Sequence, residues 1–385
     1  NIKTEIDNLA SFFYAVKGVS AEAISNYDIS GSLDAFMLMN ISYPKEDKAK
    51  YKISGKVRNF NLANNNDYPI ILENFNGDLE FEDNILLANG NAYINKSESD
   101  IKIKLDEDYK LSVNVDSIAS YRSFDFLEEY NFLNSGNSKL NIKIEKDDLF
   151  DDEWKAILKA NLYNNSVKIN QVVYEKEEKK QGWLEATYKF KNLSLRQVEN
   201  LTFFSEDMLI RGDVFLNENG FVNKINVKEF KRELDDFSAK INFENNNYFI
   251  LDIIGKSINV NNFFSDNNNQ LYSGKINILV NDFHFNKFNF GNTKLSSQVQ
   301  NNKMVKLNGE IYHNKKKYTY FDYTLNKRAA SNLKLTFLDF GLFLKNIDIS
   351  DKFISGNGDV ILNLDNQSNN IISGKYLINN FNIKD

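Results

Sequence analysis

The side chains best suited to acid–base chemistry or metal binding are few in this sequence and poorly grouped. It has two histidines, His284 and His313, and no cysteine. Neither histidine has the neighbours of a Ser-His-Asp triad or of a His-x-x-x-His metal motif. Adjacent carboxylates at Glu128 and Glu129 and at residues 151–153 could exchange protons, but such neighbouring acids are typical of a solvated surface. The sequence therefore predicts no enzyme activity, no metal site and no cofactor.

Charge and composition narrow the class of protein further. The net charge is −6 and charges of both signs are interspersed, whereas a nucleic-acid-binding protein would carry a basic face. Hydrophobic residues make up 42% of the chain and aromatic residues 14%, which is enough for a large apolar surface. No apolar run approaches the roughly 20 residues of a membrane-spanning helix. Because the chain starts with Asn, we expect it to be a segment of a longer protein, with any signal or anchor outside it.

Apolar and polar residues alternate along much of the chain. Clear examples are residues 140–144, 276–280 and 360–364, in which every second side chain is Leu, Ile or Val. A period of two is typical of strands with one apolar face and one wet face, as in antiparallel sheets. The sequence therefore predicts a mostly β fold, built on a long antiparallel sheet.

Eight glycines share one local pattern, in which a small or polar residue and Gly are followed by a polar and then an apolar residue. They are Gly31, Gly55, Gly77, Gly212, Gly274, Gly309, Gly358 and Gly374. Because Gly tolerates positive φ, this pattern predicts sharp turns that begin strands and set which face each side chain joins.

Short segments with Phe or Leu at helical spacing predict a few short amphipathic helices. They are residues 1–18, 123–136, 195–212, 259–274 and 339–356. The last four lead into the glycine pattern or a similar Gly-led strand at intervals of roughly 60 to 80 residues, which indicates a loose repeat. We therefore expect residues 1–385 to form one continuous repetitive segment, without separate globular domains. Its repeat units would be about 19–122, 123–193, 194–258, 259–338 and 339–385.

The predicted helices are too short to cover the apolar face of so long a sheet. Two arrangements could keep that face from water. The sheet could pack on another part of itself as a closed sandwich, or it could curve as an open sheet whose inner face meets lipid. The pattern of residues leaves both arrangements open.

The C-terminal residues 337–385 carry a specific order of elements. An Asp-Phe-Gly-x-x-Leu segment is followed by a Gly-rich turn, a strand, a variable turn and a Gly-led strand that ends at a Phe. The residues concerned are Asp339, Phe340, Gly341, Leu344, Gly356, Gly358, Val360, Gly374 and Phe381. This order resembles a recurrent segment of the AsmA-like family, especially its YhdP-type members. Residues 51–62 and 72–84 similarly resemble an earlier part of the same proteins.

The resemblance implies both an architecture and a function. Proteins related to AsmA, TamB and YhdP belong to the bacterial envelope, with an inner-membrane anchor and a long periplasmic body. Their sheet is described as a taco-shaped open groove that carries phospholipid toward the outer membrane. For this chain the resemblance implies a long, curved antiparallel sheet in the periplasm that acts as part of a lipid-transfer conduit. Its partners would be phospholipid acyl chains, and parts of the protein outside this chain would reach the inner and outer membranes.

The predicted groove lining is the inward-facing set of the clearest strands. It consists of Leu140, Ile142, Ile144, Val214, Leu216, Ile276, Ile278, Val280, Val360, Leu362 and Leu364. In a closed sandwich the same side chains would form an ordinary core. Two other functions stay open: a structural or assembly factor for outer-membrane biogenesis with the same architecture, and an outer-membrane β-barrel.

Overall fold

The described part of the chain falls into two structural units. The computed structural model describes residues 2–5, 27–40, 50–64, 71–120, 133–148, 152–169, 172–191, 194–245, 247–263, 272–325, 330–365 and 371–384. The N-terminal unit comprises residues 1–168 and 175–196, and the C-terminal unit comprises residues 169–174 and 197–385. The finer division into repeat units remains a prediction.

The strands up to residue 191 form a ladder in which each strand pairs with one close to it in sequence. They are β1 (Ile2–Glu5), β2 (Tyr27–Asn40), β3 (Lys50–Asn64), β4 (Ile71–Glu82), β5 (Ile85–Ile94), β6 (Ser97–Leu105), β7 (Leu111–Ser120), β8 (Leu133–Ser135), β9 (Asn137–Lys146), β10 (Glu153–Asn161), β11 (Ser166–Ile169), β12 (Tyr174–Lys176) and β13 (Gly182–Lys191). The antiparallel ladder runs from β1 through β7 to β9, β10 and β13. Strands β8, β11 and β12 form a separate small sheet.

The strands after residue 193 form a second ladder of the same kind. They are β14 (Ser194–Ser205), β15 (Leu209–Leu216), β16 (Val222–Arg232), β17 (Asp235–Asn245), β18 (Tyr248–Asn259), β19 (Ser273–Phe285), β20 (Phe288–Asn289), β21 (Asn292–Gln300), β22 (Lys303–His313), β23 (Lys316–Leu325), β24 (Ala330–Phe337), β25 (Phe353–Asp365) and β26 (Ile371–Ile383). Their pairings are antiparallel except for β18 and β19, which run parallel. The predicted fold class, mostly β with a long antiparallel sheet, is confirmed.

The segment predicted to be helical at residues 339–356 contains the helix α1 (Phe340–Asn346), but its last residues, from Phe353 onward, belong to β25. The helix starts at Phe340 because the Asp339 carboxylate accepts a hydrogen bond from the Leu342 N–H at 2.9 Å, which satisfies an N–H that has no partner within the helix. Within the described ranges, no helix is long and apolar enough to cross a membrane.

The helix predicted at residues 195–212 is wrong, since this segment forms strands β14 and β15. A β-bulge between Val198 and Leu201 explains the error. Both side chains face the same side of the sheet, because Asn200 between them adopts a left-handed φ of 51°. The bulge therefore turns the strand spacing of two into a spacing of three, which looks helical in the sequence.

The other predicted helices fall largely outside the described residues. Residues 6–26 and 121–132 lie outside them, while Ile2–Glu5 and Leu133–Ser135 are strands. Of the segment 259–274, a short 3-10 helix (Val260–Phe263) is described, and residues 264–271 lie outside.

The eight patterned glycines do not start strands at sharp turns, so that prediction is wrong. All of them lie inside strands, as Gly77 does in β4 and Gly309 in β22. A glycine within a strand leaves room for a neighbouring backbone or side chain to approach closely. In these strands the glycines that allow such an approach lie on the same face of the sheet.

Asparagine residues stabilise the bulges through side chains on the opposing strand. In β3 and β4, Asn59 and Asn74 have φ values of 48° and 54°. The Asn59 N–H donates to the Asn76 side-chain oxygen at 3.1 Å, and the Asn74 N–H donates to the Asn61 side-chain oxygen at 2.9 Å. The two strands thus exchange equivalent hydrogen bonds, which satisfies both backbone groups where the ladder is interrupted.

The role of Asn200 in the bulge can be tested by substitution. In a regular strand Val is more stabilising than Gly, and we expect this order to be reversed at residue 200. In an ordinary strand Val is preferred to Gly, but a β-branched side chain is strongly disfavoured at positive φ. We expect Asn200→Val to lower the free energy of unfolding by roughly 1–2 kcal/mol more than Asn200→Gly, as measured by urea denaturation. The same two substitutions at Asn242, in a regular part of β17, should show the ordinary order. A Val variant at residue 200 as stable as the Gly variant would contradict this account.

The same bulge makes folding stability depend on pH. Asp213 accepts hydrogen bonds from the Asn200 N–H at 3.0 Å and from the Lys228 ammonium at 2.9 Å. Partial burial alone would raise the pKa of Asp213, but these two donors outweigh it and hold this pKa below its usual value. The stabilisation is therefore complete above the pKa of the unfolded chain and is lost as the pH falls through the lower folded value.

We therefore expect the stability of Asp213→Asn to fall less steeply than that of the wild type below about pH 4. The measurement is urea denaturation at a series of pH values. Asp78→Asn, which changes an exposed carboxylate on β4, is the control for the loss of one negative charge. Parallel pH profiles for the wild type and Asp213→Asn would refute the role of Asp213.

Candidate functional site

The candidate site is one face of each sheet, on which apolar side chains line up across the strands. We call it the inner face. Residues directly opposite one another in paired strands share a face, so the register defines rows perpendicular to the strands. In the N-terminal unit one such row consists of Leu33, Val57, Gly77, Gly90, Ile101, Val115, Ile142, Leu158 and Ala186. The row beside it consists of Ala35, Gly55, Leu79, Ala88, Ile103, Val113, Ile144, Ala156 and Tyr188.

The C-terminal unit has three such rows, which we call A, B and C. Row A consists of Val198, Val214, Ile225, Ile241, Leu251, Ile276, Ser297, Leu307, Tyr323, Leu333, Leu362 and Gly374. Row B consists of Gly212, Val227, Ala239, Ile253, Ile278, Leu295, Gly309, Phe321, Leu335, Val360 and Tyr376. Row C consists of Phe230, Phe237, Gly255, Val280, Thr293, Ile311, Thr319, Phe337, Gly358 and Ile378.

The register places the residues predicted to line a groove on these inner faces. In the N-terminal unit, Leu140, Ile142 and Ile144 are successive inner positions of β9. In the C-terminal unit, row A contains Val214, Ile276 and Leu362, row B contains Ile278 and Val360, and row C contains Val280. Leu216 and Leu364 lie two residues beyond row A on their strands. That these side chains contact lipid stays a prediction.

Small elements cover row C at several places along the C-terminal unit. The ring of Phe263, in the 3-10 helix, lies 5.7 Å from that of Phe230 and 5.8 Å from that of Phe237, measured between ring centroids. Farther along the ladder, Phe343 of α1 lies 4.9 Å from Phe337. Val280 in this row is only 1% exposed.

A buried ion pair holds the Phe263 segment in place. The guanidinium of Arg232 donates to the Asp235 carboxylate at 3.2 Å, and both side chains are almost fully buried. The same carboxylate accepts from the Asn259 N–H at 2.7 Å and from the Asn262 side chain at 3.0 Å. These hydrogen bonds satisfy the buried charge and tie the connection after β18 to the turn between β16 and β17.

Exposure of the inner face changes from row to row. Members of row C such as Val280 and Ile311 are buried, whereas Val214, Ile276 and Leu362 in row A are half-buried. The covering elements described above contact row C, and α1 also packs with Leu335 and Val360 of row B. Row A is therefore the part of this face with the most access to a guest molecule.

Glycines on the inner face accommodate close neighbours. A Cβ on Gly309 would lie 2.1 Å from the ring of Phe321, so this ring covers the glycine. At Gly77 a Cβ would lie 2.3 Å from the Asn89 carbonyl oxygen of the next strand. Because a backbone atom on a paired strand cannot rotate away, Gly77 is required by packing.

Much of the inner face was not predicted from the sequence. Val198, Val227 and Phe230 belong to the rows, but bulges near them break the alternation that would have revealed them. The signal available in the sequence was a spacing of three between apolar residues with Asn between them, as in Val198 and Leu201.

The described residues do not bring together the side chains that the sequence offered for acid–base or metal chemistry. They include no cluster of His, Asp and Glu side chains that could hold a metal ion. His284 and His313 lie on different strands, β19 and β22. Glu153 forms an ion pair with Lys191 at 3.4 Å, while Glu128, Glu129 and Asp151 fall outside the described ranges.

Comparisons with known proteins return no family model, no curated protein and no solved structure that matches this chain. A functional proposal therefore has to rest on the residues of the inner face and on the sequence resemblance.

The inner-face glycines provide a test of packing. We expect Gly77→Ala to lower the free energy of unfolding by on the order of 2 kcal/mol, because its methyl group would meet backbone. Gly374→Ala is the matched control, since its Cβ would meet the Leu362 Cδ2 at 2.9 Å, the end of a side chain that can rotate, while the nearest backbone atom, the Ile361 carbonyl oxygen, lies at an ordinary contact distance of 3.5 Å. Urea denaturation measures the free energy of unfolding of both variants. Equal decreases in the two variants would show that the close approach of backbone at Gly77 does not matter for stability.

Proposed function

We propose that this chain is a segment of a periplasmic lipid-transfer conduit of the AsmA-like type. Phospholipid acyl chains would contact the inner faces on their way between the inner and outer membranes. The observation that supports this function is the continuity of the apolar rows, which cross strand after strand in each unit. The sequence resemblance at residues 337–385 supplies the family and the cellular location.

Continuity matters because of the cost of exposing hydrocarbon to water. Transferring a tail of about 16 carbons into water costs on the order of 10 kcal/mol, at ~0.8 kcal/mol per CH₂. A carrier removes this barrier only if each apolar contact is followed by another. Row A has no charged member, so a tail moving along it would meet Val, Ile, Leu, Ser, Tyr and Gly positions alone.

The opposite face of the same strands is suited to water. Asn277 donates to the Asp252 carboxylate at 2.8 Å, and Ser296 donates to the Asn277 side-chain oxygen at 2.9 Å. These residues occupy three neighbouring strands, β18, β19 and β21, and form a polar network across them. A sheet with one apolar face and one hydrogen-bonded polar face fits a protein that holds hydrocarbon on one side in an aqueous compartment.

The half-buried rows define where an acyl chain would lie. Val280 in row C is only 1% exposed, which leaves no surface there for a guest. Val214, Ile276 and Leu362 in row A are half-buried, as are Leu216 and Leu364 beyond row A and Val360 in row B, whereas Ile278 and Val280 are buried. We therefore assign the acyl contact in the C-terminal unit mainly to row A.

Two neighbouring residues of β25 test this function. Leu362 lies on row A, and Ile361 points to the opposite face and is 40% exposed. Leu362→Asp should lower the amount of co-purified acyl lipid at least tenfold, because it puts a carboxylate on the apolar path. Ile361→Asp should retain the lipid content of the wild type. The measurement is mass spectrometry of lipid extracted from each purified protein.

The controls separate loss of lipid from loss of fold. Circular dichroism and urea denaturation should show that both variants remain folded. Wild-type protein without acyl lipid, or equal lipid content in the two folded variants, would argue against a conduit. The first result would favour a structural role in envelope assembly instead.

A further inference from the structure

One hydroxyl on row A, that of Ser297, has no hydrogen-bond partner among the described residues. Ser297 is only 4% exposed, so water does not satisfy its hydroxyl either. The other hydroxyl on this row, that of Tyr323, donates to the Ser331 hydroxyl at 3.0 Å. A buried hydroxyl without a partner destabilises the folded chain, so such a group at an inner-face position calls for an explanation.

The side chains around Ser297 on the inner face are all apolar. Ile276 of β19 and Leu307 of β22 lie directly opposite it, and Leu295 and Val299 are the neighbouring inner positions of β21. A buried water generally needs roughly two to four polar partners, and these four side chains offer none. The partner that suits this position is therefore an oxygen atom carried by an otherwise apolar molecule.

A guest on row A can reach this hydroxyl. Serine has a shorter side chain than Ile276 and Leu307, so its hydroxyl lies below their outer ends. Both of these neighbours are half-buried, which leaves them exposed surface and freedom to change rotamer when a guest enters. The position thus combines a buried polar group with an accessible apolar row.

The distance from Ser297 to the end of its strand suits a molecule with a polar headgroup. β21 ends at Gln300, and the turn residues 301–302 that follow are exposed. At about 3.3 Å per residue, the strand end lies roughly 10 Å beyond Ser297. A lipid that places the start of its acyl chain at Ser297 can therefore keep its tail on row A and its headgroup in water.

The group that meets Ser297 should be a neutral acceptor. A fatty-acid carboxylate would find no cation among the apolar neighbours of Ser297, and burying an unpaired charge is costly. An ester carbonyl has no charge, accepts a hydrogen bond from a hydroxyl, and lies where the tail of a phospholipid joins its headgroup.

We propose that Ser297 donates a hydrogen bond to an ester carbonyl of the bound lipid and so makes the inner face prefer ester-linked to ether-linked lipids. An ether-linked chain has no carbonyl at this point and would leave the hydroxyl unpaired. The inference rests on the proposed function, because it requires a lipid on row A, and it assigns to Ser297 the selection among such lipids.

A competition experiment tests this selection. The full chain, freed of co-purified lipid, is incubated with vesicles that contain equal amounts of dioleoyl phosphatidylcholine and its dioleyl ether analogue. The protein is then purified again and its lipid analysed by mass spectrometry. The wild type should retain about fivefold more ester than ether lipid, as expected for the net gain from one hydrogen bond. Ser297→Ala should retain the two lipids equally.

Thr319 provides the matched control. Its hydroxyl is also buried and has no partner in the described part of the chain, but it lies on row C, where no surface is left for a guest. Thr319→Val should therefore keep the ester preference of the wild type. Neither substitution should lower the urea midpoint of the lipid-free protein, because each removes an unpaired hydroxyl. A lower midpoint for Ser297→Ala would show that this hydroxyl has a partner within the chain, which would overturn the proposal.

The remaining outcomes separate this inference from the proposed function. Equal retention of both lipids by the wild type would refute the role of Ser297 and leave the conduit standing. An ester preference that persists in Ser297→Ala would equally refute it, because the carbonyl would then be bound elsewhere. Retention of neither lipid by the folded wild type would contradict the conduit itself.

Discussion

The whole structure depends on cross-strand register. Side chains in a strand alternate between faces, so a slip of one residue would move an entire apolar set into water. The bulges at Asn59, Asn74 and Asn200 would cause such a slip if each were not compensated. They are compensated because a left-handed Asn absorbs the extra residue and a polar side chain on the opposing strand accepts its N–H. The apolar rows thus stay in line across these three bulges.

The sequence predicted the period of the strands but not their interruptions. At residues 140–144, 276–280 and 360–364 apolar residues occupy every second position, and the side chains of each strand that share a face could be assigned without coordinates. At residues 195–212 the bulge produced a helical spacing, and the assignment failed. Glycine was misread for a related reason: positive φ and close approach both require it, and sequence does not separate them. At Gly77 and Gly309 the close approach of a neighbouring strand is the cause.

The rows themselves could not be predicted, because they depend on which residue of one strand faces which residue of the next. The parallel pair β18 and β19 shows the difficulty, since nothing in either strand indicates that their order departs from a meander. Asp339 shows the opposite case. Its capping role depends on one residue type at one position and on a local hydrogen bond to Leu342. A contact of this kind can be related directly to the sequence, whereas the pairing of distant strands cannot.

The order of strands has a consequence for how such a protein can be made. Nearly every strand pairs with the one before it. Each new strand can therefore pair with an edge that is already formed, and the loop that has to close is short in most cases. The fold can therefore grow in the direction of synthesis or export, without waiting for the far end of the chain. Duplicating or deleting a hairpin would change the length of the sheet and leave its cross-section unaltered. Length is thus the property that evolution can adjust most easily in a protein built this way.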